Sequence, residues 1–389
     1  MILNYQGKKT KNEILNNTPV CSFNGNMSKS NLLIEGDNLY VLQKLREKYK
    51  NKIDLIYIDP PFSTNTVFTI GDERVSTISM SNNDNIAYVD KLQGFEYIEF
   101  IRERLIIARD LLSDVGSIYL HIDYKIGHYV KIIMDEIFGI ENFRNDITRI
   151  KCNPKNFHRK AYGNIKDMIL FYSKTKNIIW NEPKLPFSED DKEKLFRKLD
   201  KNGRAYTTIP LHAPGETKNG ATSGLFKGIK PPKGRHWRCS PQELEELDKT
   251  GLIEWSSKGN LRRIIYADER NGKKMQDIWE YKDYQYPNYP TEKNIELLKS
   301  IILASSNNGS TVLDFFCGSG TTLIAAQELN RNWIGIDQSE QAIIITKKRL
   351  SNIENTFFSE IEYSYLRAEI IKDFQMKKRS NISKVRHIA

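Results

Sequence analysis

The sequence predicts an α/β fold: a mainly parallel sheet covered by helices and interrupted by a long insertion. Three observations predict it. Short apolar runs alternate with stretches whose large aliphatic residues recur every three or four positions, the sign of strands and helices taken in turn. A glycine turn, Cys317-Gly318-Ser319-Gly320, joins one such run to a helical stretch, as in a βαβ unit. Between the two regions that follow this alternation lies a Gly- and Pro-rich basic stretch that follows neither period.

The elements come in order along the chain. Leu32-Leu33-Ile34 is a short strand that ends at Glu35-Gly36-Asp37. Asn38 to Lys48 is helical, with Leu39, Leu42 and Leu45 on one face. Ile53 to Ile58 is a strand that stops at Asp59-Pro60-Pro61-Phe62, because proline cannot donate to a sheet ladder. Residues 63 to 90 are rich in Ser, Thr, Asn and Asp and read as a long loop, expected to close over the substrate. Tyr97 to Leu112 is a helix, and Ser117 to Ile122 a buried strand. In the middle, residues 201 to 240 hold six Gly, four Pro and eight Lys or Arg against one acid, Glu216. Ser240, Pro241 and Glu243 then form a capping box that starts a helix, and Gly251 ends it. Thr291 is placed to cap a helix reaching Leu303; Thr311 to Phe316 is a strand, Leu323 to Leu329 a helix, and Trp333 to Ile336 a strand ending at Asp337. From Lys372 onward the chain is a basic tail.

Composition limits the function classes. The chain has 389 residues, enough for two or three domains. With 39% hydrophobic and 11% aromatic residues it is not wholly disordered. No run approaches the roughly 18 apolar residues of a membrane span, and the N-terminus has no secretory pattern, so a cytoplasmic protein with no membrane partner is expected. Cys21, Cys152, Cys239 and Cys317 are scattered without a CxxC pair, and the six histidines lack HExxH spacing. Nothing points to a metal. The net charge of +10 hints at a polyanion, and most of it falls between residues 201 and 240.

Two constellations carry chemistry. The glycine turn after Asp314 lets backbone approach a ligand closely, and Asp337 stands 19 residues after Gly318, where an acid can accept from ribose hydroxyls. Leu323 occupies the third small position of a dinucleotide fingerprint, and no P-loop lysine is present, which disfavours NAD and ATP. Asp314 suits a cationic amine, so S-adenosyl-L-methionine, with an amine and a ribose, fits this loop. The second constellation is Asp59-Pro60-Pro61-Phe62. An Asp carboxylate and the Pro60 carbonyl offer two acceptors for one amino group, and Phe62 offers a face for a planar ring.

On these residues the chain resembles the amino DNA methyltransferases in their permuted beta order, with the catalytic tetrapeptide first, a target-recognition region next and the cofactor loop last. Asp59-Pro60-Pro61-Phe62 resembles the catalytic motif, with Phe in place of the commoner Tyr. Asp314 to Thr322 resembles the cofactor motif, and Tyr289-Pro290-Thr291-Glu292-Lys293 the segment before it, although Asn294 stands where a second proline is common. The strands Ser117 to Asp123 and Asn164 to Tyr172 resemble others of the catalytic half. The resemblance implies a Rossmann-like S-adenosylmethionine-dependent sheet with an inserted DNA target-recognition region. It divides the chain into an N-terminal extension (1–30), a catalytic half (31–180), a recognition region (181–288), a cofactor half (289–355) and a basic tail (356–389). It further implies catalytic Asp59, Pro60, Pro61 and Phe62, and cofactor contacts from Asp37, Thr291, Lys293, Asp314, Phe316, Gly318, Ser319, Gly320, Thr321 and Asp337. Lys227, Lys230, Lys233, Arg235 and Arg238 are the candidate DNA contacts. The expected substrate is a flipped-out base in double-stranded DNA. No cysteine follows a proline, as C5-cytosine chemistry in that family requires, so the acceptor is an exocyclic nitrogen. Asp at position 59 resembles the adenine-N6 enzymes; cytosine N4 is the alternative. A restriction subunit and a homodimer are the protein partners the resemblance allows.

Overall fold

The computed structural model describes residues 2–61, 67–70, 75–76, 85–89, 94–154, 160–270, 272–284, 292–357 and 361–370. The chain forms two compact units. One comprises residues 1–181 and 276–389, and the other is Glu182–Met275.

The first unit is built on ten strands: β1 Cys21–Asn24, β2 Asn31–Glu35, β3 Ile53–Ile58, β4 Leu112–Ile122, β5 Phe143–Ile150, β6 Lys166–Ser173, β7 Ile278–Trp279, β8 Thr311–Asp314, β9 Asn332–Asp337 and β10 Tyr363–Ile370. Their order is β1-β10-β2-β9-β8-β3-β4-β6-β5-β7. The six from β10 to β4 are all parallel, and β6 reverses against β4. Buried on both faces, the central strands read as continuous apolar runs: Leu32, Leu33 and Ile34, then Leu55 to Ile58, are 0–2% exposed. The helices are α1 Lys11–Asn17, α2 Asn38–Tyr49, α3 Gly94–Leu111, α4 Tyr124–Phe138, α5 Ile295–Ser305, α6 Thr321–Glu328 and α7 Glu340–Phe357. Helix α3 lays Ile98, Ile101, Leu105 and Ala108 into the core, the face its spacing marked.

Several boundaries depart from the sequence reading. Residues 63–90 are not wholly loop: Val67–Ile70 pairs antiparallel with Val75–Ser76 and with Asn85–Val89. The N-terminal segment is no detached extension. Thr10 caps α1 through a capping box, Ile14 and Cys21 enter the core, and β1 pairs with β10. Helix α5 starts late: Asn294, not Thr291, is its cap, accepting from the Glu296 N–H at 2.9 Å. Thr291 itself lies outside the described residues, as does the tail from Lys372. Tyr363–Ile370, which the division above places in the tail, is a full strand beside β2.

The second unit holds a four-stranded antiparallel sheet of Lys198–Leu199, Ala205–Pro210, Leu261–Tyr266 and Ile253–Trp255. A hairpin of His212–Pro214 and Arg235–Trp237 accompanies it. The Pro241–Lys249 helix starts at the Ser240–Glu243 capping box read from the sequence, and Gly251 follows it at φ +72°. Its small core is Leu211, Phe226, Trp237, Leu244 and Leu261. Among the described residues, no helix is long and apolar enough to cross a membrane.

Candidate functional site

Parallel strands deliver their carboxyl ends to one edge, and ligands of such sheets bind outside that edge. Here β8 ends at Asp314 and β9 at Asp337, and Asp59 directly follows β3, so three acids separated by up to 278 residues of sequence meet at that edge. A cleft opens beside Asp59 and Asp314, lined by Tyr57, Asp59, Glu292, Lys293, Leu298, Asp314, Phe316, Cys317, Gly318, Ser319, Thr321 and Thr322.

The glycine turn is held from beneath. Gly320 lies at φ +78°, and a Cβ there would stand 2.6 Å from Cγ2 of the buried Thr346. The Thr346 hydroxyl donates to the Gly318 carbonyl at 3.0 Å. Arg349, from α7, donates to the Ser319 carbonyl, the Ser319 Oγ and the Thr321 Oγ1 at 2.9–3.0 Å, and pairs with Glu292 at 3.0 Å. On the other side Asn38 donates to the Phe315 carbonyl. The loop is therefore fixed before any ligand arrives, which lowers the ordering cost of binding.

Asp314 is 2% exposed and accepts from the Phe316 N–H (3.0 Å) and the Thr322 hydroxyl (2.6 Å). Burial, aided by the nearby charges of Asp59 and Asp337, pushes its carboxyl up to about 7 against those two hydrogen bonds. A carboxylate in that state gains from a cation. Asp59 pairs through Oδ2 with Lys293, while its Oδ1 is buried with no hydrogen-bond partner among the described residues. An acceptor left open in a buried position costs free energy until a donor fills it. Pro60 is buried and Pro61 partly so, directly after β3; Phe62 lies outside the described residues.

Two acids on the cofactor side carry structural duties. Asp337 accepts from the Gly318 N–H and the Ser339 N–H, each at 2.9 Å, so it ties β9 to the glycine turn. Asp37 caps α2 through the Leu39 N–H at 2.9 Å and pairs with Arg104 at 3.0 Å. Phe316, Gly318, Ser319, Thr321 and Lys293 all line the cleft, whereas Asp37, Gly320 and Asp337 do not. Sequence reading named Glu292 only as part of its motif and missed Tyr57, Thr346 and Arg349. Tyr57 was within reach of it, since residues two apart on a strand share a face and Asp59 was already marked. Arg349 had no local signal; only the fold brings α7 under the loop.

The basic candidates lie in the second unit, where Lys227, Lys230, Lys233, Arg235 and Arg238 are all exposed. Lys227 is paired with Asp248, and Arg235 stands 3.2 Å from His212 Nδ1. Lys230, Lys233 and Arg238 have no acidic partner among the described residues.

The fold and this edge define an α/β protein of the class that binds a ligand at the carboxyl ends of parallel strands around a glycine turn. Comparison with known proteins narrows that class. The DNA methylase family model matches residues 53–348. The type II methyltransferase M.EcaI of Enterobacter cloacae is 40% identical over 363 residues, 90% of this chain and 77% of that protein. The Mod subunit of the type III restriction-modification enzyme StyLTI of Salmonella typhimurium is 29% identical over 341 residues, 78% of this chain; the chain spans about half (51%) of that relative's length. A solved structure, the M1.HpyAVI–SAM complex, covers 82% of this chain at 18% identity with a TM-score of 0.42. The chain belongs to the DNA methylase family, and it is a DNA methyltransferase.

Proposed function

We propose that the chain transfers a methyl group from S-adenosyl-L-methionine to the N6 amine of an adenine flipped out of duplex DNA, within a restriction-modification system of the cytoplasm. One observation carries the reading: the Asp59 carboxylate, with its open Oδ1, and the Asp314 carboxylate, made cation-seeking by burial, line a single cleft around the glycine turn. The first is what an amine acceptor needs, and the second what a methionine ammonium needs.

When bound, S-adenosylmethionine would supply an electrophilic methyl carbon on a sulfonium. The chain's own residues do the rest. Asp314 would hold the ammonium, and Lys293 would meet the carboxylate end. Asp337, already bonded to Gly318, would accept from a ribose hydroxyl. Asp59 Oδ1 and the Pro60 carbonyl would accept the two hydrogens of the target amine, reducing conjugation of the nitrogen with its ring and raising its nucleophilicity. Phe62 would stack on the base. Positioning and electrostatics of this kind account for most of the acceleration expected here. Lys230, Lys233, Arg235 and Arg238 would neutralise phosphates or read bases. A restriction subunit is the proposed protein partner, and pairing of two copies of the chain is a further proposal.

The test is methylation of unmethylated duplex DNA by the purified chain, followed by digestion to nucleosides and their separation. N6-methyladenine is expected, with Asp59→Ala at least about 10³-fold slower. N4-methylcytosine would move the assignment to the cytosine-N4 alternative. C5-methylcytosine, or no product while the cofactor binds normally, would overturn it.

A further inference from the structure

Behind Asp59 a row of polar side chains crosses the sheet and is almost wholly shielded from water. Ile58 of β3 lies opposite Leu120 of β4, which sets Asp59 beside His121. Leu313 lies opposite Ile56, which sets Asp314 beside Tyr57. Arg149 of β5 lies opposite Asp167 of β6. Tyr57, His121, Arg149 and Asp167 are only 0–3% exposed. The Tyr57 hydroxyl is 3.0 Å from His121 Nδ1, and His121 Nε2 is 3.3 Å from Asp167 Oδ2. Lys151 donates to Asp167 Oδ1 at 2.7 Å, and Arg149 pairs with both Asp167 and Asp283.

The charges fix the direction of each bond. Burial alone would raise the Asp167 carboxyl, but the hydrogen bonds from His121 and Lys151 and the Lys151 charge hold it well below the ordinary carboxylate range. Ionised, it accepts, so His121 Nε2 carries the proton. Arg149 and Lys151 already balance Asp167 and Asp283, and burial pushes the imidazolium down, so His121 is neutral. Its Nδ1 is then an acceptor, and the Tyr57 O–H must donate to it. That leaves the Tyr57 oxygen with its lone pairs free of its own hydrogen, on a side chain lining the cleft between Asp314 and Asp59.

We propose that His121, oriented by Asp167, is a positioning residue for methyl transfer: it turns the Tyr57 hydroxyl so that its oxygen presents lone pairs to the cleft, beside the cationic methyl donor. The claim rests on the methyl-transfer reading above. The arrangement places a neutral acceptor where positive charge must be held without adding a third buried anion beside Asp59 and Asp314. Carboxylate–imidazole pairs that fix a tautomer act in the same way elsewhere.

His121→Phe keeps a ring of similar size and removes the acceptor. His121→Asn keeps an acceptor oxygen at the Nδ1 position. Tyr57→Phe removes the hydroxyl. Single-turnover methylation and equilibrium cofactor binding are measured for each, with thermal unfolding to confirm folded protein. His121→Phe and Tyr57→Phe are each expected to slow transfer by about 10–100-fold. His121→Asn recovers most of that loss. The double variant is no slower than Tyr57→Phe by more than about threefold, because both changes remove one interaction. Multiplicative penalties, or a His121→Asn variant as slow as His121→Phe with normal folding, overturn the proposal. A wild-type chain that binds cofactor and methylates no DNA overturns instead the reading on which it rests.

Discussion

Replacing Asp314 with Asn should make the protein more stable and less able to bind its cofactor, an uncommon pair of effects. The wild-type carboxyl is lifted from 3.8 to about 7 by burial. At about 1.4 kcal/mol per pH unit, ionising it inside the fold costs on the order of 4 kcal/mol at pH 8. The sign follows from proton counting. Between pH 3.8 and 7 the folded chain keeps this proton and the unfolded chain has lost it, so wild-type stability falls as pH rises through that window and levels off above it. The amide carries no charge. It keeps an oxygen for the Phe316 N–H, and the Thr322 hydroxyl turns to accept from its NH2, so the lost hydrogen bonding is about 1 kcal/mol. Urea denaturation of Asp314→Asn and wild type across pH 4 to 8 should show near-equal stabilities at pH 4 and an advantage of about 3 kcal/mol to the variant at pH 8. Calorimetric titration with S-adenosylmethionine should show affinity reduced about 10–100-fold. In the wild type the affinity should fall about tenfold per pH unit below 7. A variant no more stable than wild type at pH 8, or a gap independent of pH, would refute the reasoning.

Two further outcomes are expected. Gly320→Ala forces a side chain into the left-handed region and against Thr346 Cγ2 at 2.6 Å, so thermal and urea unfolding should show a loss of about 2–4 kcal/mol together with weakened cofactor binding. In the second unit, Ala at Lys230, Lys233 or Arg238 should each lower the slope of log affinity for DNA against log salt by about one, while Lys227→Ala, whose charge is already met by Asp248, should change it by clearly less.

The sequence was most legible where local periodicity and burial agree. Strand β3 was readable to the residue because a continuous apolar run ends at two prolines, and the Pro241–Lys249 helix because its capping box is local chemistry. Asp314 and Asp337 were singled out by their spacing around the glycine turn, and Asp37 by the family resemblance. Their second duties were not legible: that Asp37 is bonded to Arg104 and Asp337 to Gly318 depends on neighbours 67 and 19 residues away. The loop reading of residues 63–90 missed three short strands because Ser, Asn and Asp lower strand propensity without forbidding pairing. Strand β10 was hidden by its charges, which suit a strand near a sheet edge as well as they suit a tail. The row from Tyr57 to Arg149 draws on four strands, and no single stretch of sequence announces it.

The order of strands has a consequence for how the chain is made. Strand β2 is complete at residue 35, yet its two neighbours are β9, starting at Asn332, and β10, starting at Tyr363. A ribosome adding about 5–20 residues per second needs roughly 15–60 s to supply the first of them. For that interval Leu32, Leu33 and Ile34 stand with both ladder edges open. Every newly begun copy thus spends most of its synthesis presenting an unpaired apolar strand. Holding factors on the nascent chain, or slow initiation that keeps such copies apart, would limit aggregation during that wait.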